Sequence, residues 1–393
     1  MVDWASQDRI FPPGYSQVDI RFRRGSIDSS LPYSVATNKR HNCGLQFKNV
    51  NDKSASNENL HHSLHQAIHF QNDISDNKTK KKNQKLLATY AYNINWPRSI
   101  CCLNGNDGSI IVCEQERCRL ILFTSQLMFR STCGGIRGNG FCQFDSPSNV
   151  VELIEDSSSY ILVADTNNRR LQCFFIGYRG EFIHKYNIIT KEKPYFIGTN
   201  KQFIAVSCEK GFINCYLTKE NDQIAEINLN KLLSIKKTIS IPFCLCMDPN
   251  DNSLFISNPI ASKNCIYQLS ILGKHLRTIK LDNQPFLHIN YLTFDIRNRQ
   301  FLIIDTINSI IYSVKPDLKN NNVEILLKPS DNVNYPQALC ISNEGHLVIV
   351  ECSVLTQHTL KLFRYIKCKC HSRAVTPSVK TSETTSIRSI ILP

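Results

Sequence analysis

"YILVADTNNRRLQCFFI", residues 160–176, sets two apolar runs on either side of a polar centre. The flanks, Tyr160–Ala164 and Leu171–Ile176, are rich in β-branched and aromatic residues, which suit a pleated and half-buried strand. Between them Asp165-Thr166-Asn167-Asn168-Arg169 carries short polar side chains of the kind that bond nearby backbone in turns. The stretch reads as a hairpin. Whether that hairpin is a local feature or an architectural one depends on whether it recurs.

It does recur. Pro97, Pro147, Pro194, Pro242, Pro285 and Pro336 fall 50, 47, 48, 43 and 51 residues apart. After each comes a short apolar strand, a polar turn, a second strand, a second turn and a third strand. "GSIIVCEQERCRLILF" (108–123) aligns without a gap on "SYILVADTNNRRLQCF" (159–174), and "QFIAVSCEKGFINCY", "SLFISNPIASKNCIYQL", "QFLIIDTINSIIYSV" and "HLVIVECSVLTQHTLKLF" hold the same place later in the chain. Six such units without helical patterning predict an all-β fold in which one repeat is one four-stranded blade of a propeller. Five outer strands lie between successive repeats. The sixth is expected before the first repeat, in "LLATYAYNI" (86–94), where it would pair with the last blade near residues 360–365 and leave no open edge.

Gly134 to Phe182 resembles an NHL unit. Its marks are a glycine-bearing loop, Phe then Pro, a strand ending in Val-Ala-Asp, then Asn-Asn-Arg and Leu-x-x-Phe. The resemblance extends over residues 86–366 and is strongest in that unit. The first repeat has Glu114 at the place of Asp165 and Cys118 at the place of Arg169. The fifth keeps Asp305-Thr306-Ile307-Asn308 without the arginine, and the third, fourth and sixth have lost most of the polar signature. The resemblance implies a six-bladed β-propeller like the C-terminal domain of tripartite-motif NHL (Brat-like) proteins. The RING, B-box and coiled coil that precede such propellers have no counterpart before Pro97, where Cys43 is the one cysteine.

The domain reading is therefore a disordered Asn/Ser/Lys-rich extension (1–83), a propeller (84–366) and a basic Ser/Thr-rich tail (367–393). The net charge of +13 divides as +5 over 1–95, +4 over 96–366 and +4 over 367–393, so most of the excess lies at the ends. "KTKKKNQK" (78–85) suits a solvated linker or a phosphate-binding arm. The polar start of the chain lacks the pattern of a cleavable signal, and no apolar stretch approaches the ~20 residues needed to span a bilayer. The 17 cysteines are odd in number and mostly inside apolar runs. Together these features predict a soluble, monomeric, cytoplasmic or nuclear protein in a reducing compartment. Cys368, Cys370 and His371 are close enough to share a metal, but no second ligand pair accompanies them, so neither metal nor cofactor is expected.

Asp165, Asn167 and Asn168 are read first as structural turn residues, with Arg169 bridging to a neighbouring turn. In a four-stranded meander the second-to-third turn and the entry into the first strand share one face. That face gathers Trp96, Arg98, Arg117, Arg137, Arg169, Arg170, Lys193, Tyr195, Phe243, Phe286 and Tyr335 as candidate binding residues. Bases interleaved with rings suit single-stranded RNA, which NHL propellers of the Brat-like kind bind on this face. Arginine and aromatic residues equally anchor protein interfaces, and Glu114, Glu116, Asp165 and Glu351 make the rim mixed in sign. No hydrolase or phosphate-loop motif is present. The expectation is a non-catalytic protein-interaction platform, with substrate recognition for a ubiquitin ligase as one role and RNA binding as the alternative.

Overall fold

The computed structural model describes residues 68–69, 85–105, 107–156, 158–233, 244–257, 264–281, 289–316, 322–353 and 357–366. Phe243, Phe286, the lysine-rich arm before residue 85, and Cys368, Cys370 and His371 lie outside them. The described chain forms six antiparallel sheets. Blade 1 runs, from inner to outer strand, Pro97–Cys102, Ile110–Glu114, Arg119–Phe123 and Phe129–Gly134. Blade 2 follows with Pro147–Glu155, Ser158–Asp165, Arg170–Ile176 and Phe182–Ile189, and blade 3 with Pro194–Thr199, Phe203–Cys208, Phe212–Leu217 and Gln223–Asn228. Blade 4 consists of Cys244–Met247, Leu254–Ser257, Cys265–Leu269 and His275–Lys280. Blade 5 consists of Tyr291–Asp295, Gln300–Asp305, Ile310–Lys315 and Asn322–Leu327. In blade 6, Pro336–Ile341, His346–Glu351 and Thr359–Arg364 are completed from the other end of the chain by Leu86–Tyr90.

The innermost strands touch their neighbours all the way round, blade 6 against blade 1 included. The fold is a closed six-bladed propeller. Leu86 pairs with Phe363 and Tyr90 with Leu360, which closes the ring as the sequence predicts. Ile68–His69 adds a short fifth strand against Thr89 and Tyr90, from within the stretch read as disordered.

Apolar side chains fill the spaces between blades. One cluster joins Ala88, Ile94 and Tyr90 to Ile100, Val112, Phe123, Val348 and Leu360, so the blade 6–blade 1 seam is packed like the others. Phe123, Phe174 and Phe363 are fully buried at equivalent places on the third strands of blades 1, 2 and 6, and Phe301 is fully buried on the second strand of blade 5. Second and third strands are buried along nearly their whole length because they have a blade on each side, and so they read as continuous apolar runs.

One boundary differs from the sequence reading. Tyr291 pairs with Ile304 in blade 5 as Ala338 pairs with Val350 in blade 6. That register puts Ile289, not Pro285, at the place of the repeat proline. Starts at 97, 147, 194, 242, 289 and 336 are spaced by 50, 47, 48, 47 and 47 residues, closer to even than the proline count. The shift also puts Asp295 at the end of the innermost strand of blade 5. It is buried at the strand end and accepts bonds from Arg297, Asn298 and Tyr365.

Candidate interaction face around the channel mouth

The opening turn is a clasp. Asp165, fully buried, accepts the Asp145 N–H on one oxygen (2.7 Å), and on the other Arg170 Nε (2.8 Å), Asn168 Nδ2 (2.8 Å) and Gln172 Nε2 (3.1 Å). The Arg170 guanidinium also donates to the carbonyls of Asn139, Gly140 and Gln143, and Asn168 donates to that of Gly138. Asn167 donates to Asp145 through its side chain. Residues 165–170 thus hold the incoming inter-blade loop, 135–145, against their own hairpin. Gly134 opens that loop with φ +87, and a Cβ there would stand 2.5 Å from the Cys118 carbonyl, so the position demands glycine.

The same clasp recurs with other residues. In blade 1 Glu114 accepts from the Asn95 N–H and pairs with Arg119. In blade 6 Glu351 accepts from the Asn334 N–H (2.9 Å) and pairs with Lys361 (2.7 Å). In each case the carboxylate at the end of the second strand meets the N–H two residues before the repeat proline. Thr166 and Thr306 carry the motif across blades by donating to the carbonyls of Pro194 and Pro336. The sixth repeat therefore keeps a signature that the sequence reading took as lost. With a longer turn and a base two residues further along the third strand, Lys361 stands ten positions after Glu351, against five from acid to base in blades 1 and 2.

Two sequence expectations change. The base that closes the clasp is Arg170, whose side chain is buried, while Arg169 is exposed with a left-handed backbone (φ 50) and stands at the last turn position. Arg170 is thereby withdrawn from the binding face, since its charge is spent on Asp165 and loop carbonyls. Glu114, Asp165 and Glu351 are withdrawn too: all three are buried and paired. Burial pushes the Asp165 and Glu351 carboxyls above the ordinary carboxylate range despite the bases beside them.

The remaining rim is simpler. Exposed Arg117 donates to Asn93, and Arg137 lies 3.6 Å from Asp145 with most of its side chain in solvent. Arg117, Arg119 and Arg137, with Glu116, Cys118 and Gly135, line a concavity of about 460 Å³. Lys210 is exposed in the blade 3 turn, and Lys193 is half-buried beside Glu209. Ile136 and Phe141, 71 % and 57 % exposed, project from the 135–143 loop on either side of Arg137 in sequence, and Phe141 rests its ring on His184. The sequence reading missed these two because the loop was valued for its glycines.

Trp96 and Tyr335, each preceding a repeat proline, hold φ of 47 and 46, and Ser146 before Pro147 holds 53. Bulky residues in this region cost free energy that packing must offset. Both carbonyls are bonded, by the N–H of Gln115 and of Cys352 respectively, and the Trp96 ring lies 5.2 Å from that of His358. Just beyond Pro97, Pro147, Pro194 and Pro336 the ladder slips by one residue, at Arg98, Ser148, Tyr195 and Gln337. These bulges bring four blades' side chains to one level of the channel mouth. Arg98 Nη1 reaches Gln337 Oε1 (3.4 Å), and Ser148 Oγ donates to the Tyr195 carbonyl (2.8 Å). Further along these innermost strands, within the blade 1–blade 6 cluster, Cys102 Sγ and Cys340 Sγ approach to 2.8 Å. Thirteen cysteines among the described residues are free thiols. No group of three His, Cys, Asp or Glu among the described residues is arranged to hold a metal, and no described helix is long and apolar enough to cross a membrane.

No family model matches the chain and no curated protein matches it. Among solved structures it is similar to a structural-genomics protein of unknown function from Bacteroides thetaiotaomicron, with a TM-score of 0.52 and 11% identity over 72% of each chain. A likeness at that identity speaks for the fold alone, and the NHL resemblance stays a resemblance: by structure and by comparison, this chain is a six-bladed β-propeller.

Proposed function

We propose that the protein is a non-catalytic, monomeric interaction platform that receives a protein partner on the face carrying the inter-blade loops. The observation that carries this reading is the 135–143 loop, held rigid by the Asp165–Arg170 clasp, with Ile136 and Phe141 exposed around Arg137. An apolar patch interleaved with arginine on a preformed loop has the composition of an interface anchor. Recognition of a substrate for ubiquitin ligation, with the RING on another chain, is one role such a platform serves. The free thiols suit a reducing compartment, and we place the platform in the cytoplasm.

RNA is the second reading, and one observation favours it. With Glu114, Asp165 and Glu351 buried and paired, Arg117, Arg137, Arg169 and Lys210 dominate the exposed charge of the rim. Affinity capture from nuclease-treated and untreated extract of the source cells separates the two. A partner set retained after nuclease and lost in Arg117→Glu/Arg137→Glu/Phe141→Ser is the expected result. A set that disappears with nuclease would overturn the protein reading in favour of RNA.

A further inference from the structure

Arg98 differs from the cations that close the clasps. Arg119, Arg170 and Lys361 are each paired with a buried carboxylate. Arg98 has five N–H donors, yet among the described residues its one hydrogen bond is the 3.4 Å contact to the neutral Gln337 amide, and no described carboxylate pairs with it. Its side chain is half-buried within electrostatic reach of Cys352, Tyr195 and Cys113, from blades 6, 3 and 1, and desolvation there lowers its pKa. A partly desolvated charge without a counter-ion costs free energy. The bulge at Arg98, shared with three other blades, is what turns the side chain into the mouth instead of leaving it on the rim.

The other described side chains at this level of the mouth are neutral: Ser148, Tyr195 and Gln337 at the bulges, and Asn290 just before the first paired residue of blade 5. A nucleic-acid backbone, which binds by neutralising several phosphates, finds one cation here. A single carboxylate finds a planar guanidinium with donors that no described residue takes and a neighbouring amide.

We infer that Arg98 anchors a carboxylate site in the channel mouth, which takes one acidic side chain of the peptide partner received on this face. The inference rests on the platform reading for the identity of the partner and on Arg98 for the chemistry. It predicts a trade of stability against binding. The test is the melting temperature of the full chain and of Arg98→Gln at pH 7 in sodium chloride, sodium acetate and sodium phosphate at equal ionic strength. In chloride, Arg98→Gln should melt higher than the natural protein by about 2 °C or more, because an uncompensated charge has gone. Acetate should raise the melting temperature of the natural protein saturably and leave Arg98→Gln unmoved.

A lower melting temperature for Arg98→Gln in chloride would make Arg98 a structural residue and overturn the inference. So would an equal acetate response in both proteins, or none in either. Stabilisation through Arg98 by phosphate but not acetate would replace the acidic peptide by a phosphorylated ligand. Failure of partner capture with an intact, Arg98-dependent acetate response would count against the platform reading and leave the carboxylate site standing.

Discussion

Arg169 and Arg170 are adjacent, identical in type and opposite in role. Arg170 begins a strand, and its side chain lies buried between Asp165 and three loop carbonyls. Arg169 takes the left-handed turn position and points to solvent. Removing one member of a buried ion pair leaves the other uncompensated, at a cost of about 3–5 kcal/mol. Arg170→Ala should therefore lower the melting temperature by about 10 °C, whereas Arg169→Ala should stay within about 0.5 kcal/mol of the natural protein. Thermal unfolding of the two variants side by side checks both expectations. Equal effects would mean that the clasp is not what holds the loop. The two arginines could not be ranked from sequence because a turn's αL position and a strand's first residue differ by backbone angle, not by composition.

At the scale of the element, the closing strand matters most. Leu86–Tyr90 is the one blade strand borrowed from the far end of the repeat region, and it turns an open edge into a paired one. Tyr90 is buried, with its ring 4.9 Å from Phe123 of blade 1, so it ties the borrowed strand to the first blade as well as the last. Tyr90→Ala should cost about 3 kcal/mol or more, and in denaturant it should loosen the blade 6–blade 1 seam. Protection of the Leu360 and Leu362 amides against hydrogen exchange reads that loosening directly. Unchanged protection would show that the ring does not depend on this closure.

The strand pairings were legible in the sequence because each is carried by a local apolar run between turn residues. The closing strand was legible by counting outer strands. The start of blade 5 was not, since Pro285 imitates the repeat proline four residues too early. Nor was the inward aim of Arg98, which depends on a bulge that leaves no mark on composition. Nor was the sixth clasp, because Glu351 and Lys361 are brought together by strand pairing and not by a motif of fixed length.

For the whole molecule, the repeated meander puts the described inter-blade loops and the three clasps on one face and the first-to-second and third-to-fourth strand connections on the opposite one. The acids and bases most evident in the repeat signature cancel inside that face as architecture. Outside, among the described residues, stand the Ile136–Arg137–Phe141 loop, the Arg117 concavity, Arg169, Lys210 and the channel mouth with Arg98. The central claim is that a partner docks there. It is tested most directly by placing a photo-crosslinking benzoylphenylalanine at Phe141, and separately at Leu272 in a third-to-fourth-strand loop of the opposite face, in the intact chain inside its own cells. The account predicts a discrete protein adduct from position 141 that is lost when Arg137→Glu is added, and none of that mass from position 272. Adducts from position 272 alone, or adducts at 141 indifferent to Arg137, would contradict it.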